Sequence, residues 1–282
     1  MRRKRRTVGE CGGRPGEWVR AVQRMIAVGV GGASGLRALA WAADEAAGPQ
    51  DRLVLLRACP SCSPLAGLVG EPPVALLERA NRGLARAVAA TGGRREGQRR
   101  LRVLIGDPAP ALADASAGAD LLVIGATGGT VAEQVVRETH CPLVVVHPVP
   151  AGPGDQFAGH VVVGVDGSDA GHAALDFAFG YADGHRLPVA AVQVSAPDAE
   201  VLSAEVEPWE LKYPRVRARR AILPGDQLIE AAAGARLLVL GGPGGLARAV
   251  TRQARCPVTV VPLARDGARP GRGSTTAPDP RR

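Results

Sequence analysis

Three separated stretches of this chain recur later in the same order, and that repetition limits the architecture more than any other feature. Ile26-Ala27-Val28-Gly29-Val30-Gly31-Gly32 is echoed by Val161-Val162-Val163-Gly164-Val165-Asp166-Gly167. Ala119-Asp120-Leu121-Leu122-Val123-Ile124-Gly125 returns as Ala235-Arg236-Leu237-Leu238-Val239-Leu240-Gly241, and His140-Cys141-Pro142-Leu143-Val144-Val145-Val146 as Arg255-Cys256-Pro257-Val258-Thr259-Val260-Val261. Landmarks at the beginning, middle and end of each copy mean that one folding unit is used twice. At 282 residues the chain has room for two units, each large enough to bury a core.

Inside the first copy, apolar runs alternate with helical spacing. Met25 to Val30 and Leu53 to Leu56 read as strands, with Leu36, Leu39, Ala40, Ala43 and Ala47 on one helix face between them. Pro72-Pro73 opens a second helix carrying Val74, Leu77, Leu84 and Val88, which Gly92-Gly93 ends. A strand over 101–105, a short helix over 109–117, a strand over 121–124, a helix over 131–139 and a strand over 143–147 follow. Strands that alternate with helices need right-handed crossovers, so the fold class is α/β: two tandem doubly wound domains, each with a five-stranded parallel open sheet.

The expected limits are a basic extension over 1–24 that the fold does not need, a first domain over 25–148, a linker over 149–159, a second domain over 160–263 and a basic tail over 264–282. Pro and Gly are dense from Pro148 to Gly154, as in a linker. Gly29 to Gly164 is a step of 135 residues but Cys141 to Cys256 only 115, so the second copy is 20 residues shorter. Most of that loss falls between the strand at 189–194 and the segment 216–223, where a thinly covered sheet face is expected, capped by Trp209 and Tyr213.

The net charge of +8 sits largely at the ends, in Arg2 to Arg6 and in Arg265, Arg269, Arg272, Arg281 and Arg282. A solvated tail accounts for such runs, and aromatics at 3% leave little for base stacking, so no specific nucleic-acid partner is expected. No apolar run is long enough for a bilayer and no apolar stretch follows the basic start, which points to a cytoplasmic protein without a membrane partner. Five cysteines, an odd number, argue against a disulfide framework, and Cys141 and Cys256 read as small buried thiols. Cys59-Pro60-Ser61-Cys62 has the spacing of a redox couple, or of a plain loop, and no second pair is spaced to complete a zinc site.

In an open parallel sheet, ligands sit beyond the carboxyl ends of the strands where the order reverses. The loop leaving the fourth strand of the first copy is Gly125-Ala126-Thr127-Gly128-Gly129-Thr130, running into a helix expected to begin at Val131. Glycines let backbone approach a phosphate, the first N–H groups of the helix point at it, and Thr130 can cap the helix or donate to an oxygen. A tight turn with a threonine cap explains the same residues. There is no Gly-x-x-x-x-Gly-Lys-Ser/Thr loop, the only lysines are Lys4 and Lys212, no Gly-x-Ser-x-Gly elbow occurs, and the five histidines form no i, i+4 metal pair. Catalysis and metal binding are therefore not expected.

Order and motifs together resemble the universal stress protein family, from about Met25 to Val261, through Val165-Asp166-Gly167-Ser168 and through Cys256-Pro257-Val258-Thr259-Val260-Val261. The resemblance implies an adenine nucleotide alpha hydrolase-like fold. In the ATP-binding branch the aspartate lies at the adenine end, and a Gly-x-x-Gly, nine residues, Gly-Ser/Thr pattern wraps ribose and phosphates. Here Gly129-Thr130 directly follows Gly125-x-x-Gly128, so the nine-residue arm is missing. The second copy keeps Gly241, Gly244 and Gly245 but offers no hydroxyl, and Pro243 removes a donor. Conversely Asp166 stands in the second copy where the first has Gly31.

Each copy thus keeps a different half of the site, the two halves being expected on separate sheets. The implied function is a non-enzymatic regulatory or stress-response protein with weak adenine-nucleotide (ATP) binding through Val165, Asp166, Gly167, Ser168, Gly241, Gly244 and Gly245, the first copy being mostly structural. The rival is a ligand-free interaction module acting through protein partners. Relatives dimerise through the fifth strand, so the two copies are expected to form an intramolecular pseudo-dimer, with a homodimer or another protein as further partners.

Overall fold

Among the described residues ten strands form, the central ones short runs of valine and leucine that are mostly buried because helices cover both faces. In the computed structural model the described residues are 24–46, 48, 50–63, 67, 99–126, 130–148, 156–194, 198–224 and 227–263. The first half comprises β1 (Met25–Gly29), α1 (Gly32–Glu45), β2 (Arg52–Cys59), β3 (Arg99–Ile105), α2 (Pro108–Ser116), β4 (Leu121–Gly125), α3 (Thr130–Glu138) and β5 (Leu143–Val146). The second comprises β6 (Val161–Val165), α4 (Asp169–His185), β7 (Val189–Gln193), α5 (Ala199–Lys212), β8 (Ala218–Ile222), α6 (Leu228–Ala231), β9 (Leu237–Gly241), α7 (Gly245–Gln253) and β10 (Val258–Val261).

All ten strands form one sheet in the order β3-β2-β1-β4-β5-β10-β9-β6-β7-β8. Every neighbouring pair is parallel except β5 and β10, which run antiparallel with Val145 opposite Val258, Val144 opposite Thr259 and Leu143 opposite Val260. The expectation of separate sheets is therefore corrected. Each half has the order 3-2-1-4-5, and the joint turns two exposed edges into a paired interior. The free edges of the whole sheet, β3 and β8, carry exposed Arg100 and Arg102 on one side and exposed Arg219 and Arg220 on the other.

Strand alternation sorts the core into two layers that run through both halves. Ile26, Val28, Val161 and Val163 face the layer under α1, α4 and α5, where Leu39, Leu175, Phe179 and Leu202 are nearly or fully buried. Ala27, Leu122, Val162 and Leu238 face the opposite layer with Leu112, Val135, Leu228 and Val250. Burying leucines and phenylalanines this completely contributes about 1.5–3 kcal/mol each, so both layers are cohesive across the joint.

Several local expectations are revised. β2 runs on to Cys59 through the half-buried Arg57 and Ala58, and β3 starts at Arg99 ahead of the exposed Arg100 and Arg102, all paired in register although they break the apolar run. The thinly covered face is absent: α5 lies there, begun by Asp198, whose carboxylate accepts from the Glu200 and Val201 N–H groups, and buried through Leu202 and Val206. Trp209 and Tyr213 pack partly buried beside it, with the Lys212 ammonium 4.8 and 5.1 Å from their ring centres. The expected helix through Val74 and Val88 lies outside the described residues, as do residues 1–23, 149–155 and 264–282.

Arg24, assigned by sequence to the extension, is tied into the structure. Its guanidinium meets Glu45 at 3.2 Å and Asp51 at 3.0 Å, and its carbonyl accepts from the Arg52 N–H. Glu45 ends α1 and reaches across to the other half: it accepts from the Tyr181 hydroxyl at 3.1 Å and meets His185 Nε2 at 3.2 Å, both on the last turn of α4. Burial pushes the Glu45 carboxyl up, but the hydrogen bond and charge of His185, then the Arg24 charge and the Tyr181 hydroxyl, hold it below its ordinary value. Burial likewise pushes His185 down, and the hydrogen bond and charge of Glu45 with the Tyr181 carbonyl outweigh that and hold it above, against the Arg236 charge.

These opposite displacements define a pH window. His185, raised, stabilises fully below its ordinary 6.5 and loses that contribution as pH climbs through the raised value. Glu45, lowered, stabilises fully above its ordinary 4.5 and loses its contribution as pH falls through the depressed one. The melting temperature of the parent minus that of His185→Gln should therefore be greatest between those two values and shrink above pH 6.5; a difference that grows with alkalinity in thermal melts would contradict this.

Candidate functional site

The carboxyl ends of β1 and β4 meet in the first half, and those of β6 and β9 in the second, because each of these pairs is parallel and adjacent. Gly125 and Gly241 occupy the last positions of β4 and β9. A Cβ on Gly125 would overlap the Ser34 carbonyl in the first turn of α1, and one on Gly241 would overlap the Ala170 carbonyl in the first turn of α4. Only glycine lets the strand end and the helix start come this close. The loop beyond each is then steered toward the end of the next strand: Ala126 N–H donates to the Val146 carbonyl at 3.0 Å, and Gly242 N–H to the Val261 carbonyl at 2.8 Å.

In the second half this contact places Asp166 beside the glycine loop. Val165 is buried in the core, so its side chain is taken up by packing. Asp166 is exposed, and its Oδ1 accepts from the Ser168 N–H at 3.0 Å and the Ser168 hydroxyl at 2.6 Å. Gly167 makes the turn with φ of 70°. The Ser168 hydroxyl caps α4 by accepting from the Gly171 N–H at 3.0 Å. A Cβ on Gly171 would overlap Asp166 Oδ1, so the carboxylate lies directly over the helix start. Glu205 of α5 closes the same corner, pairing with His172 at 2.5 Å and standing 3.6 Å from where a Gly167 side chain would begin.

The β9 loop supplies the other wall. Gly242 has φ of 62°, Gly244 caps α7 without a side-chain acceptor, and a Cβ on Gly244 or Gly245 would meet nothing within 4 Å. The first N–H groups of α7 therefore open onto free space and carry the positive end of the helix dipole. The carboxylates of Asp166 and Glu205 thus gather at the start of α4, and the start of α7 follows Gly241 on the adjoining strand. Such a corner suits a ligand with hydrogen-bond donors at one end and an anion at the other.

The first half is wired differently. Gly31 stands at the Asp166 position, α1 starts without a side-chain cap, and the Arg57 guanidinium approaches instead, donating from Nη1 to the Val30 carbonyl at 3.1 Å. Arg57 Nη1 lies 3.6 Å from where a Gly31 side chain would begin, and its Nε is buried without a partner among the described residues. Register puts Arg57 and Gln193 at matching positions, one residue beyond Leu56 opposite Gly29 and Val192 opposite Gly164. The carboxylate has thus been lost and a cation gained. Sequence reasoning missed Arg57 by ending β2 at Leu56; a lone arginine after four apolar residues was the available signal.

Gly128 and Gly129 lie outside the described residues. Thr130 is already the first residue of α3, which corrects its expected place as the residue before a helix starting at Val131. Cys59 is buried at the end of β2 while Cys62 is exposed, and both are free thiols. Cys141 and Cys256 are buried too, and burial pushes each thiol up to about 12, where it is no nucleophile. Among the described residues no cluster of His, Cys, Asp and Glu could hold a metal ion, and no helix is long and apolar enough to cross a membrane.

Comparison with known proteins agrees with this geometry at the level of the fold. Residues 24–147 match the model of the Universal stress protein family. One universal stress protein of Mycobacterium tuberculosis is 29% identical over 214 residues, covering 62% of this chain and 72% of that protein. Another is 30% identical over 191 residues, covering 54% of this chain and 64% of that protein. The crystal structure of a universal stress protein from Archaeoglobus fulgidus matches 86% of this chain and 97% of its own, with a TM-score of 0.63 at 15% identity, a likeness of fold. Residues 24–147 are thus similar to the universal stress protein family, and the chain has a universal stress protein-like α/β fold.

The close approach at the strand tips sets a mutational expectation. Gly241→Ala or Gly125→Ala forces the strand end off the helix start and should destabilise by about 2–3 kcal/mol, the cost of overpacking a site that cannot yield. Gly244→Ala, in open space, should stay within about 0.5 kcal/mol of the parent. Urea denaturation of the three variants checks the contrast.

Proposed function

We propose that this chain, built around a universal stress protein family domain, is a non-enzymatic stress-response regulator that keeps weak adenine-nucleotide affinity, for ATP in the first instance, in the cleft of its second half. The reading rests on one observation above all: Gly241 sits against the first turn of α4, bringing Asp166 and the uncapped start of α7 to the same cleft. In this reading the free oxygen of Asp166 accepts from the adenine amino or ribose hydroxyl groups. Gly241, Gly244 and Gly245 let backbone N–H groups approach the phosphates.

Weakness follows from the same geometry. Asp166 spends one oxygen on Ser168, Pro243 offers no N–H, and the carboxylates of Asp169 and Glu205 repel phosphates from their side of the cleft. In the first half Arg57 stands over the Gly31 corner, and Gly125 and Thr130 serve structure there. A regulatory role also fits the lysines: Lys212 is paired to Asp176, not aimed at either glycine turn. We place the protein in the cytoplasm, with β5 and β10 joined as an internal pseudo-dimer and protein partners or further copies meeting its helical faces.

Titrating ATP by calorimetry into the parent and Asp166→Ala tests the site. Losing one hydrogen-bond acceptor of ordinary net strength should weaken the dissociation constant about fivefold. Thermal melts of both proteins separate that loss from damage to the α4 start. Equal affinities in two equally folded proteins would remove Asp166 from the site.

A further inference from the structure

A cavity lies at the opposite end of the sheet from Asp166 and Gly241. Its volume is about 690 Å³, and it is bounded by the last turn of α4 and by the chain entering β7 and β8. Asp183, Arg186, Leu187, Tyr213, Arg215 and Arg217 line it. Three arginines from two separate chain segments therefore border one space. A cavity of that size holds a small metabolite, and such sites combine an apolar wall with a few fixed charges.

The charges are not balanced locally. Asp183 is paired to Arg215 at 3.1 Å. Among the described residues neither Arg186 nor Arg217 has a carboxylate within ion-pair distance. The carbonyl end of α4 offers about half a negative charge, and its last carbonyls are already engaged by the Arg186 and Leu187 N–H groups. Two unneutralised cations outweigh that partial charge.

Arg186 adds a second, independent sign. It ends α4 in the left-handed region, with φ of 56° and ψ of 43°, and is the sole non-glycine residue with positive φ among the described residues. Glycine fills this position at helix ends without strain, so an arginine here carries a conformational cost that its backbone role does not explain. Arg186 is one of the residues that line the cavity.

We infer that this cavity is a binding site for a small phosphate ester, with the phosphate held between Arg186 and Arg217 and the organic body against Leu187, Pro188 and Tyr213. Guanidinium groups match phosphate oxygens in charge and planar geometry. The site is independent of the nucleotide cleft, which lies beyond the other ends of the strands.

Phenyl phosphate and inorganic phosphate are titrated calorimetrically into the full chain, into Arg186→Gly/Arg217→Gln, and into Asp166→Ala. Arg186→Gly keeps the left-handed turn and relieves it, so the double variant folds, with a melting temperature at or above the parent's. The parent should bind phenyl phosphate about tenfold more tightly than inorganic phosphate through the buried ring. The double variant should lose at least about tenfold for both ligands, and Asp166→Ala should match the parent. Unchanged binding in the double variant, equal affinity for the two ligands, or no binding by the parent overturns the site.

Discussion

The antiparallel pairing of β5 with β10 is the interaction on which the rest of the molecule depends. Alone, each half would end in a short, largely apolar strand with its hydrogen-bonding groups open to any passing chain. Joined, Leu143 to Val145 and Val258 to Val260 satisfy one another, and the core layers on both faces become continuous. The joint is reinforced off the sheet: His147 meets the Thr251 carbonyl at 2.8 Å, Arg252 pairs with Glu133, and Glu45 reaches Tyr181 and His185. Two repeats therefore behave as one body.

Within that near-symmetry, chemistry differs at the strand tips. Both halves retain the glycine that lets the fourth strand touch the first helix, because its removal would disturb packing whatever the ligand. What varies is what the packing leaves free. The second half holds Asp166 over a serine-capped helix with Gln193 behind it, while the first has no side chain at Gly31 and a guanidinium from Arg57. A shared scaffold thus presents an acidic corner on one side and a basic one on the other, and a single anionic ligand cannot suit both equally.

The strand and helix order was legible because hydrophobic period and glycine punctuation are local, and the special standing of Gly125 and Gly241 followed from the repeat itself. Contacts between distant side chains were not. Nothing near Arg24 in sequence announces Glu45 and Asp51, and nothing near Glu45 announces His185. The shorter linker between β7 and β8 was mistaken for a lost helix, although Asp198 followed by Glu200 marks a helix start that α5 obeys. The meeting of the two fifth strands was anticipated, but not its antiparallel register or the single sheet it makes, because these depend on how two units meet, which periodicity within either one does not encode.

The arginines on β3 and β8 bear on what this molecule does in a crowd. A newcomer docking strand to strand on either outer margin would have to strip water from Arg100 and Arg102, or from Arg219 and Arg220, before gaining backbone hydrogen bonds. Growth of the ladder past the ten described strands is thereby discouraged at both margins.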